Sequence, residues 1–228
     1  MVTLDLQINK NTYLKDPTST DLGKRILTSS ILLIDKHGFE NFNFKKLARE
    51  VSSTESSVYR YFENKHYLFL YLINWFWELT SMRLELAILN VSDPHVKIEN
   101  IIKTIIEASF SNIEIPFIDE EVLHRIIVRE GTKAYHHKSV DDDNSEGFFL
   151  AYKSLCEKIS LIFLEINPSY RYPKSLASTL IEVCNNNIYF AKHLPRLTDI
   201  TYCHDKNQME FELFEMLKSL IMSSLKKY

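Results

Sequence analysis

The stretch "NFKKLAREVSSTESSVYRYF", residues 43–62, holds two short apolar-faced segments separated by small hydroxyl residues. In the first, Phe44, Leu47, Ala48 and Val51 fall at i, i+3, i+4 and i+7, the spacing of one helix face. Asn43 is a good N-cap for it. Ser52, Ser53 and Thr54 interrupt the pattern and offer a cap for a second short helix, predicted to run to about Phe62. Two short helices joined by about three residues outline a helix-turn-helix.

The second helix has two unlike sides. At 3.6 residues per turn, Val58 and Phe62 lie within about 40° of each other and face inward. Glu55, Ser56, Tyr59 and Arg60 cluster within about 140° on another side, with no aliphatic residue among them. An acceptor, a hydroxyl, a phenol and a guanidinium on one exposed face suit a major groove and its base edges. Around them stand phosphate-type partners: Asn43, Thr54, Ser57, Tyr61 and Lys65. From spacing alone, a packed corner of a helical protein remains the plainer alternative.

Outward from this stretch the chain reads as helical. Upstream, residues 1–19 look like a flexible arm, and Thr18, Ser19 and Thr20 offer caps for a helix over 21–37 that Gly38 ends. Downstream, a long helix is expected from near His66 to about Asn90. Further helices are expected at 95–112, 119–137, 145–166, 173–194 and 208–227, with breaks at prolines and in the acidic "VDDDNSEG" run. Glycine is scarce at 4 and proline at 6 in 228 residues, which favours an all-α chain.

Charge and cysteines set further bounds. The net charge is -3, yet residues 1–66 carry +2 and the remainder -5, a mildly basic head on an acidic body. Cys156, Cys184 and Cys203 are far apart and form no CxxC pair, which fits reduced thiols in a cytoplasmic protein. The longest apolar run, "LFLYLINWFW" at 68–77, is about half the ~20 residues a membrane span needs. No phosphate loop, GxSxG or HExxH is present, so the chain is not expected to be an enzyme. His136 and His137 stand near Asp141, Asp142 and Asp143, but their spacing is not that of a set metal site, and neither metal nor cofactor is expected.

The segment "GFENFNFKKLAREVSSTESSVYRYFENKHYLFL", residues 38–70, resembles the DNA-binding region of the TetR family of bacterial regulators. Gly38, Asn43, Leu47-Ala48, Tyr59, Phe62 and Lys65 fill the places of that pattern without a gap, and the resemblance covers about residues 20–72. It departs at the turn, where the family usually has Ala-Gly-Val-Ser and this chain has Val51-Ser52-Ser53-Thr54. A serine kept at positive φ there costs about 1 kcal/mol.

The resemblance implies an all-α TetR-like architecture: a helix-turn-helix domain over 20–66 and a helical effector-binding and dimerisation domain over 67–228. It implies a homodimer on a double-stranded, palindromic operator, acting as a repressor released by an unknown small-molecule effector, away from any membrane. Carried over by position, Tyr59 and Lys65 would hold phosphates, aided by Asn43, Thr54, Ser57 and Tyr61. Glu55, Ser56 and Arg60 would read base edges.

The last helix bears an apolar band from Met209 to Leu225, wide enough to supply part of a dimer interface with the 173–194 helix. Phe110, Phe117, His124, Tyr135, Phe148, Tyr152 and Tyr189 are candidates to line the effector pocket, beside the plainer reading that they are core. The competing function is a helical protein-interaction or architectural module that reads no DNA sequence.

Overall fold

A computed structural model describes residues 6–110, 117–202 and 206–226. Its helices are α1 (Asp21–His37), α2 (Phe44–Glu50), α3 (Glu55–Tyr59), α4 (Lys65–Ile88), α5 (Pro94–Ala108), α6 (Glu120–Glu130), α7 (Thr132–Tyr135), α8 (Val140–Ser145), α9 (Leu150–Ile166), α10 (Pro173–His193) and α11 (Lys206–Ser224). No strand occurs among the described residues. The chain forms two compact units, Met1–Leu79 with Ser111–Tyr152, and Thr80–Phe110 with Lys153–Tyr228.

Capping side chains set many of the boundaries. Thr20 accepts from the Gly23 amide to start α1, Asn43 from Lys46 to start α2, and Thr54 from Ser57 to start α3. Gly38 ends α1 at φ 75°, a conformation that strains any residue bearing a Cβ. Three expectations are corrected. The 119–137 helix divides at Gly131 into α6 and α7, glycine being a weak helix former. The acidic run, expected as a break, forms α8, with Asp141, Asp142 and Asp143 in a first turn whose dipole favours negative charge. The second helix of the motif ends at Tyr59 rather than Phe62.

The described part of the arm is packed, not loose. It makes 3-10 turns at Lys10–Thr12 and Pro17–Ser19, and Thr12 and Pro17 are buried. The Leu14 amide donates to the Tyr61 carbonyl at 2.8 Å, and Tyr13 meets Tyr71 edge-on at 5.7 Å between centroids. Gly23 makes this docking possible, because a Cβ there would lie 2.2 Å from the Pro17 carbonyl oxygen. Burial pushes the Tyr71 phenol well above its usual range.

Within the first unit, α1 lies against α6. Arg125 grips Asp35 with Nε at 3.0 Å and Nη2 at 2.9 Å, and Arg129 closes on the same carboxylate. These bonds hold the Asp35 carboxyl below its usual pKa. In the second unit, α11 sets Leu213, Leu217 and Ile221 fully into a core shared with α5 and α10. Cys156 and Cys184 are buried and in no disulfide, and burial pushes the Cys184 thiol up to about 12; Cys203 lies outside the described residues.

Candidate nucleic-acid interface

The turn between α2 and α3 decides what α3 can present. The Ser53 amide donates to the Ala48 carbonyl and the Ser52 amide to the Arg49 carbonyl, the paired bonds of a Schellman ending. That ending needs a left-handed residue, and Ser52 takes it at φ 51°. With a serine in place of glycine, that left-handed conformation costs backbone strain. Arg25 on α1 donates to the Val51 carbonyl at 3.1 Å and fastens the turn from behind. No local pattern in the sequence singles out that arginine.

Helix α3 is anchored by its apolar side. Val58 and Phe62 are both 0% exposed, each side chain contributing about 1.5–3 kcal/mol by leaving water. Glu55, Ser56 and Arg60 point outward and exposed, and Tyr59 is 48% exposed with its ring backed edge-on by Phe44 at 4.9 Å. Arg60 follows the last turn as its C-cap. Thr54 bonds the hydroxyls of Ser56 and Ser57 at 2.9 Å each, so the start of α3 carries a linked hydroxyl row. Asn43 stays exposed beyond its capping bond.

Two residues behave differently from expectation. Tyr61, expected among the phosphate partners, is 4% exposed. Its hydroxyl shares a 2.7 Å hydrogen bond with Thr20, and Lys15 lies 5.2 Å over its ring. The early end of α3 turns this residue inward, so it ties the arm and α1 to the motif instead of facing solvent. Lys65 donates to the Phe39 and Glu40 carbonyls at 3.1 Å each and sits over the Phe39 ring at 4.7 Å. It staples the loop after α1 to the start of α4, and an ammonium has three protons, which leaves one for an anion.

The seven candidate pocket residues are divided between the two compact units. Phe110 and Tyr189 belong to the second compact unit, where Tyr189 stacks near His193 at 4.6 Å. The first unit holds an aromatic cluster around Tyr135 and Tyr152. Trp77 donates its indole N–H to the Tyr135 hydroxyl at 3.1 Å and lies 4.6 Å from the Tyr152 ring. His124 is buried 5.7 Å from Phe76, which in turn meets Trp77 at 4.9 Å. Phe148 is buried against Tyr67 at 5.4 Å, and Phe117 is half-buried beneath Lys24. Trp77 and Phe76 were hidden from sequence reading inside a continuous apolar run.

Residues 26–72 match the family model for bacterial regulatory proteins of the tetR family, in agreement with the resemblance read from Gly38 to Lys65. No curated protein matches the chain by sequence. Among solved structures, the fatty acid degradation regulator FadR from Bacillus halodurans is similar at TM-score 0.63 and 12% identity, over 92% of this chain and 98% of that one. AibR in complex with isovaleryl coenzyme A and operator DNA is similar at TM-score 0.59 and 12% identity, over 86% and 97%. The superantigen PfiT is similar at TM-score 0.60 and 12% identity, over 92% and 97%. At such identities the likeness is one of fold, and one fold carries more than one function.

Proposed function

We propose that the chain, whose residues 26–72 match the tetR family of bacterial regulatory proteins, is a DNA-binding transcriptional repressor. The observation that carries this reading is the division of α3 and the turn that follows it, with Val58 and Phe62 sealed in the core while Glu55, Ser56, Tyr59 and Arg60 face solvent. A short helix so held has a polar side of the right chemistry for a major groove.

In this reading residues 20–66 are the reading head and 67–228 serve effector binding and dimerisation. Arg60 reads a guanine, Glu55 and Ser56 meet neighbouring base edges, and Asn43, Thr54, Ser57, Tyr59 and Lys65 hold phosphates. The chain works as a cytoplasmic homodimer and by binding rather than catalysis. Two copies place α3 in successive major grooves of a near-palindromic operator. A small molecule, received at the aromatic cluster of Trp77, Tyr135 and Tyr152, shifts the dimer to a form that cannot span both half-sites. The dimer surface uses the side of α11 left outside its own core, where Phe211 is 64% exposed.

Selection of bound duplexes from a random pool tests the reading. The expected outcome is a near-palindromic consensus whose affinity Arg60→Ala lowers and whose preference it relaxes. Binding that is absent, or indifferent to sequence, would favour an architectural or interaction module instead.

A further inference from the structure

Three side chains from distant parts of the first unit converge on one point. His66, in the first turn of α4, brings Nε2 to 2.6 Å from Asp143 Oδ2. His137, between α7 and α8, brings its own Nε2 to 3.1 Å from the same oxygen. The imidazole centroids are 4.9 Å apart, edge to face, and the three ligand-type atoms lie within 4.8 Å of one another. We propose that His66, His137 and Asp143 form a binding site for a divalent late first-row metal ion of the zinc type. The sequence pattern around His136 and His137 did not show this, because His66 is 71 residues from its nearest partner, His137. The proposal stands apart from the DNA-binding reading, and failure of either leaves the other intact.

The donor set fits that class of ion. Two imidazoles and one carboxylate suit zinc and its neighbours, whereas magnesium and calcium prefer oxygen donors throughout. Three protein ligands with a fourth position left to water are a recurring zinc arrangement. The His66 and His137 side chains are 29% and 25% exposed and Asp143 11%, so the site opens to solvent on the histidine side while its carboxylate is held within. Metal–donor bonds of about 2.0–2.2 Å at tetrahedral angles need donors about 3.3–3.6 Å apart. The 3.1 Å pair therefore opens by a few tenths of an ångström and the 2.6 Å pair by about 0.7–1 Å. The three atoms, all within 4.8 Å of one another, rearrange by side-chain rotation.

The surroundings also hold the ligands in place. The Asp143 amide donates to the Ser139 carbonyl, and its carbonyl accepts from Phe148. Beyond α8, Asn9 donates to the Glu146 carbonyl at 2.9 Å and Asn11 to its carboxylate at 3.0 Å. His137 Nδ1 accepts a long 3.3 Å bond from the Ser139 amide, and its buried Nε2 has no hydrogen-bond partner among the described residues, which leaves that nitrogen beside the carboxylate for an ion. Metal capture through His137 Nε2 leaves that ring's proton on Nδ1 and releases the Ser139 contact.

Cobalt(II) added to the chelator-stripped full chain reads this directly. The expected result is a visible d–d band of a four-coordinate site saturating at one ion per chain and displaced by zinc. His137→Gln and Asp143→Asn should each weaken zinc binding at least tenfold, while His136→Ala, an exposed neighbour, should leave it unchanged. Zinc should raise the thermal midpoint of the wild type and not of the two site variants. A wild type that gives no band, or site variants that bind as tightly as it does, would overturn the proposal. Should Asp143→Asn fail to fold by circular dichroism, His137→Gln and the wild-type band decide.

Discussion

At the scale of single residues, Ser52 and Asp35 show how much one side chain can decide. Ser52 sits at φ 51° because the two amide bonds that end α2 require it, and its Cβ makes that conformation unfavourable. Ser52→Gly should therefore stabilise the chain by about 0.5–1 kcal/mol. In a protein of this size that corresponds to a rise in thermal midpoint of about 1–4 °C. A fall in midpoint would show that the serine makes a contact outweighing its strain. Asp35 is held by Arg125 and Arg129, which lower its pKa in the folded state. Its contribution is therefore complete above the unfolded value of about 4 and is lost as pH falls further through the folded value. Asp35→Asn should lose about 1–2 kcal/mol at neutral pH, the pair being partly screened by solvent. Its midpoint should also vary less than that of the wild type below pH ~4. Parallel curves for the two proteins would remove the carboxylate from this role.

At the scale of elements, the helix-turn-helix was the most legible part of the chain. Asn43 as a cap, Phe44 and Leu47 as the buried face of α2, and Val58 as the anchor of α3 all follow from local spacing and hydrogen-bonding chemistry, while the structure selects Thr54 among the three hydroxyl residues that could cap α3. The end of α3 was not legible. Nothing between Tyr59 and Phe62 breaks a helix by composition, and the burial of the Tyr61 ring with its bond to Thr20, which accompanies the early end, is a contact with distant residues. This geometry sharpens two predictions for operator binding. Arg60→Ala should cost about 1–3 kcal/mol of discrimination between the selected operator and a base-substituted one. Fold stability should not change, because the side chain is exposed. Lys65→Ala should weaken binding to all duplexes and reduce the slope of log affinity against log salt by about 1. It should also lower the thermal midpoint, since its ammonium holds the Phe39 and Glu40 carbonyls. A salt slope unchanged in that variant would leave Lys65 a structural staple alone.

At the scale of the whole molecule, the last helix divides its apolar band between two tasks. Leu213, Leu217 and Ile221 seal the core of the second unit, while Phe211 and Leu220 remain exposed. A symmetric interface uses each such residue twice. In the proposed homodimer, Phe211→Glu should therefore cost about 3 kcal/mol or more, a loss of roughly a hundredfold in dimer affinity. Sedimentation should show a folded monomer at concentrations where the wild type is dimeric. An unchanged dimer would place the interface on another surface.

Local chemistry along the chain determined the helical class, the caps, the turn and the two-sided character of α3. Each of these depends on residues within one or two turns of one another, so the spacing of side chains suffices to read them. Contacts across long stretches of chain decided the rest: the docked arm on α1, the Asp35–Arg125 clamp and the meeting of His66 with His137 and Asp143. Those pairings arise only when burial of the shared core brings distant helices together, and no periodicity in one helix records which residue of another it will face.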